Sequence, residues 1–102
     1  MTAYYSPEDC AIITRAIGDT MLEHELPRFE TLEFEKGRGL TIYVAPPHFT
    51  RWRVALPVNT PKRIHTRHSD TLLSRGTIDG VPVVLGTVAW KSRGETFKGV
   101  AV

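Results

Sequence analysis

Cysteine occurs once, at Cys10, so the chain cannot close a disulfide within itself. That favours a reducing compartment. No apolar run approaches the roughly 20 residues that a membrane-spanning helix needs. The opening Met1-Thr2-Ala3-Tyr4-Tyr5 lacks the basic and apolar regions of a signal peptide, so a cytoplasmic location is expected. Internal repeats, low-complexity tracts and linkers are also missing. The 102 residues therefore read as one domain, 1–102. Hydrophobic usage of 41% and charged usage of 24% match globular proteins and exclude a disordered chain.

Charge is present in quantity but unevenly placed. The formal net charge is only +2. Residues 1–35 nevertheless hold Arg15 and Arg28 against eight carboxylates, and residues 36–78 hold eight cations against Asp70 alone. Such a split implies either two opposed surfaces or an internal pairing of acidic and basic strands.

Ser6 and Pro7 open a helix. The Ser6 hydroxyl can accept from first-turn amides, and Pro7 has no N–H to leave unpaired. Glu8 and Asp9 suit the positive end of the helix dipole, and Asp9 approximates the third residue of a capping box. Cys10, Ile13, Ile17 and Met21 then recur at helical spacing, until Pro27 forbids continuation. The helix is expected at about 7–25.

From Phe29 the apolar period becomes 2. Leu32 and Phe34, then Leu40, Ile42 and Val44, flank a Lys36-Gly37-Arg38-Gly39 turn and predict a hairpin. Pro46-Pro47 stops that strand. Trp52, Val54 and Leu56 alternate with Arg51 and Arg53 and predict a third strand, with Trp52 in the core. Residues 57–70 match neither period and read as a long loop, of the kind that is often functional. A strand over 71–78, an Asp79-Gly80 hairpin turn, an apolar central strand over 81–90 and a last strand over 97–102 complete the series.

The predicted fold class is α+β: a single N-terminal helix packed on a curved antiparallel sheet of about five to six strands in meander order. A small, partly open β-barrel with one helix is the alternative. Six strands span about 24 Å, while one helix covers about 10 Å of that width. Either the sheet curls strongly or apolar surface remains for a partner or a second copy.

His65, His68 and Asp70 form the densest polar cluster. As metal ligands they need a fourth group such as His48 or Cys10, and Arg67 places a positive charge among them. Ser69, His68 and Asp70 can be written as a triad, but chain neighbours rarely reach that geometry, and no nucleophile elbow surrounds Ser69. Cys10 lies on the apolar helix stripe as a small hydrophobe. Gly37 and Gly39 lack the third glycine and following helix of a phosphate-binding loop. No cofactor and no catalytic residue is assigned.

The expected function is a small non-enzymatic protein-binding module, in keeping with the accessory or inhibitor proteins of phages and mobile elements. Its partner would be an acidic protein, met by a basic strand face and the 57–70 loop. The binding residues would be Arg51, Arg53, Lys62, Arg63, His65, Arg67, His68 and Arg75. Nucleic-acid binding through the same cations is the alternative, and a metal-dependent or hydrolytic enzyme at His65, His68 and Asp70 the second. Pairing of Glu33 and Glu35 with Arg51 and Arg53 would erase the basic stripe.

Overall fold

Ser6 caps the first helix as its position suggests. In the computed structural model, which describes residues 6–35, 39–98 and 100, its hydroxyl accepts from the Asp9 amide at 3.1 Å. The Asp9 carboxylate accepts in return from the Ser6 amide at 3.4 Å, closing the box. Helix α1 runs from Pro7 to Glu23. It ends through Glu25, which takes φ +48°, and through a bond from the Leu26 amide to the Met21 carbonyl at 3.0 Å. That six-to-one bond is the Schellman arrangement, with glutamate where glycine is usual.

The strands are β1 (Thr31–Glu35), β2 (Gly39–Tyr43), β3 (Lys62–His65), β4 (Ser69–Ile78) and β5 (Val81–Trp90). They form one five-stranded sheet in the order β1-β2-β5-β4-β3. The α+β class holds, and the sheet is not closed into a barrel. Three pairings are antiparallel, the β1–β2 and β4–β5 hairpins as expected and β3–β4 in addition, but β2 and β5 are parallel, so the sheet is mixed rather than a meander. Asp79 and Gly80 both take positive φ, as a type I′ turn requires, and join β4 to β5. The Lys36-Gly37-Arg38 part of the first hairpin turn lies outside the described residues.

The parallel pair exists because the expected third strand is a helix. Pro46–His48 form a 3₁₀ turn that leads into α2 (Phe49–Ala55). The paired prolines end β2 and also start the helical segment, since a first turn has no use for their missing N–H groups. Phe49, Trp52 and Leu56 are buried at helical spacing, whereas Val54 is 77% exposed. The Trp52-Val54-Leu56 alternation thus samples two core positions and one solvent position of a helix. Trp52 is fully buried as expected, and its indole N–H donates to the Pro27 carbonyl at 2.8 Å.

Ile13 and Ile17 of α1 share one buried cluster with Phe49 and Trp52 of α2 and with Leu40, Ile42, Leu72, Val83 and Leu85. By register, these sheet residues all point to one face. Phe97 and Val100 pack against the same cluster. The described part of the expected last strand, Phe97, Lys98 and Val100, is not strand. On the other face Tyr43 and Leu73 lie over Gly86, where a Cβ would stand 2.7 Å from Tyr43 Cε1 and 2.9 Å from Leu73 Cδ2. Both helices cover a single face, so the molecule is a slab with extents of 40 × 34 × 21 Å. Among the described residues, no helix is long and apolar enough to cross a membrane.

Candidate functional site

Residues 57–70 are largely paired rather than loop. Val58 bridges to Gly76, and the Asn59 side chain accepts from the Arg75 amide at 3.0 Å. Lys62–His65 then add as edge strand β3, in antiparallel register with Leu73–Asp70. The sequence hides this strand because all four of its residues are exposed, which leaves no apolar alternation to read.

The turn that follows is held by its own hydroxyls. The Thr66 amide donates to the Ser69 carbonyl at 2.8 Å. Thr66 Oγ1 accepts from the Ser69 amide at 3.0 Å and from the His68 amide at 3.3 Å. Lys91 Nζ donates to the Thr66 carbonyl at 2.9 Å, and its backbone amide donates to the His68 carbonyl at 3.0 Å. Arg67 and His68 are thereby presented at the tip, both exposed. Lys91 was not a candidate from sequence, because its partners lie more than 20 positions away.

Arg63 and His65 share a face of β3 and converge on Asp70. His65 Nδ1 lies 2.7 Å from one carboxylate oxygen, and Arg63 Nη2 lies 3.4 Å from the other. The Arg63 guanidinium also stands 5.7 Å from the centre of the Phe97 ring, within cation–π range. The hydrogen bond from His65 is the largest influence holding the Asp70 carboxyl below its ordinary value; partial burial opposes it, and the charge of His65, the hydrogen bond from Arg63 and the charge of Lys91 act in the lowering direction.

The remaining candidates separate. Arg51 lies on α2 and donates to the Glu25 carbonyl at 2.6 Å and to the His24 carbonyl at 3.5 Å, binding the end of α1. Arg53 is half-buried on the same helix, its Nε enclosed and without a hydrogen-bond partner. The expected basic strand face at 51–53 is therefore a helix surface. Lys62 and Arg75 point to the sheet face opposite the helices. Glu33 and Glu35 sit on β1, at the far edge from β3, about 19 Å away across four strand spacings. Arg51 and Arg53 are on α2 rather than on a strand beside β1, so the cross-strand arrangement that would pair them with these glutamates is absent from the sheet.

Ser69 is buried in the turn network, and Asp70 is already held by His65 and Arg63. Among the described residues, no three His, Cys, Asp or Glu side chains gather in a way that could hold a metal ion. The site is thus an exposed, cation-rich hairpin at a sheet edge, with its backbone edge free of a further strand among the described residues. No protein-family model, curated protein or solved structure matches this chain.

Proposed function

We propose that the chain is a non-enzymatic binding module that takes an acidic, extended segment of a partner protein against the β3–β4 hairpin. The observation that carries this reading is the composition of the edge. Lys62, Arg63, Arg67 and Lys91 cluster around β3 and its turn, while the acidic strand β1 lies at the opposite edge. An edge strand offers main-chain donors and acceptors to an added strand. Its cations repel a second basic edge and attract carboxylates, so charge selects the partner.

Trp90 gives specific support to nucleic-acid binding as a second reading. It is 43% exposed and precedes Lys91, whose amide bonds to His68 at the hairpin tip. An aromatic ring beside cations is a stacking platform for an unpaired base.

One titration separates the two. A fluorescein-labelled Glu- and Asp-rich decapeptide and a labelled single-stranded oligonucleotide are each followed by anisotropy at low and moderate salt. The expected result is peptide binding that weakens with salt and falls about tenfold or more in Arg67→Glu. Tighter oligonucleotide binding that is lost in Trp90→Ala selects the second reading. Binding of neither probe in the micromolar range overturns both.

A further inference from the structure

The sheet face turned away from the helices is organised by charge. Register pairs place Glu33, Thr41, Val84 and Arg75 in one row across the strands. The next row runs Thr31, Tyr43, Gly86, Leu73 and Lys62. The first row begins with a carboxylate and ends with a guanidinium, and the second ends with an ammonium. Between these ends Thr41, Val84 and Gly86 are buried, and the apolar surface comes from the half-buried Leu73 and Val88, from Ile64 at 39% exposed and from Trp90, the most open. Neither α1 nor α2 lies on this face, since both share the cluster on the other one; the short 3₁₀ turn Lys91–Arg93 brings Arg93, with Glu95, to a cleft at its Thr31–Tyr43–Val88 side.

We infer that this face is the contact between two copies of the chain, related by a two-fold axis parallel to the strands and running along β5. The middle position of β5 among the five strands makes the arrangement self-complementary. Rotation about that axis lays β1 of one copy over β3 of the other, and β2 over β4. The row that holds Glu33 and Arg75 then lies over itself reversed. Glu33 comes within about one strand spacing, roughly 4.8 Å in the sheet plane, of Arg75 of the second copy. A two-fold axis across the strands sets β1 on β1 instead and brings like charges together. Charge therefore selects the axis as well as the partner.

The area is adequate for a reversible dimer. The strands of 5, 5, 4, 10 and 10 residues, each residue about 3.4 Å long and about 4.8 Å wide, give a face of roughly 550 Å², so two copies bury roughly 1,100 Å², the size of a weak, reversible contact. Sheets stacked face to face in this way keep their strands aligned to within about 30°. Lys62 and Trp90 border both surfaces, but Arg67 lies at the hairpin tip, outside the charged rows, so Arg67→Glu tests the acidic-partner reading and Arg75→Glu tests this contact.

Sedimentation equilibrium on the full chain across the micromolar range tests the contact. A monomer–dimer equilibrium is expected. Glu33→Arg and Arg75→Glu should each weaken self-association by about tenfold or more, because each alone opposes like charges. Both positions are exposed, and circular dichroism verifies that each variant keeps its fold. An equimolar mixture of the two variants should recover the association of the unmodified chain, since every contact then pairs opposite signs. A strictly monomeric chain overturns the inference. So does a dimer indifferent to both substitutions, or a mixture that associates no better than its components.

Discussion

Asp70 shows how little of a cationic cluster is free to vary. Its carboxylate is shared by His65 and Arg63, and its pKa lies below the ordinary 3.8 chiefly through the hydrogen bond from His65. The sign of the pH effect follows. A carboxyl depressed on folding contributes stability above its unfolded value, and this contribution is lost as pH falls through the lower folded value. We expect a carbon-detected titration of the Asp70 carboxyl to show a midpoint below 3.8, and the midpoint to rise toward 3.8 in His65→Ala. A midpoint unchanged by that substitution contradicts the assignment. The same contact explains why His65 belongs to the hairpin's structure as well as to its surface, whereas Arg67 and His68 at the tip are displayed by the turn.

At the scale of the element, the end of α1 is the most informative. Glu25 holds a left-handed conformation that costs a non-glycine residue about 1 kcal/mol or more. It is held there by the Leu26-to-Met21 bond and by Arg51, which reaches across from α2 to the Glu25 carbonyl. Glu25→Gly keeps both backbone interactions and relieves the strain. Urea denaturation should therefore show a gain of about 0.5–1 kcal/mol with an unchanged slope. A loss of stability means that the glutamate side chain contributes more than its backbone costs. The α2 segment is hard to read from sequence because its strongest helical mark, Phe49, comes only two positions after a proline pair that also ends a strand. Edge strand β3 was missed for the opposite reason, since a strand buried on neither face leaves no pattern.

At the scale of the molecule, α1 and α2 on one face leave a two-layer slab whose other face has a row with Glu33 at one end and Arg75 at the other. If that face closes on a second copy, folding and association are linked by mass action. The thermal midpoint of the unmodified chain should then rise with protein concentration, and the rise should vanish in Arg75→Glu. Differential scanning fluorimetry over a hundredfold concentration range measures this. A midpoint flat with concentration in the unmodified chain opposes the dimer, independently of sedimentation.

The local elements that rest on short-range chemistry were decided by the sequence alone. These are the Ser6–Asp9 cap, the Ile13–Ile17 stripe, the alternation of β1 and β2 and the Asp79-Gly80 turn, and the α+β class follows from the kinds of element they make. Each depends on neighbours within about four positions, and side-chain identity fixes those contacts before the chain collapses. Tertiary structure alone decided that β5 inserts between β2 and β4, that Arg51 serves the end of α1, and that Glu33 and Lys62 stand at opposite edges of one sheet. These outcomes depend on which distant strands pair. Strand pairing is selected by burial of the whole apolar face, a quantity that no local window of residues contains.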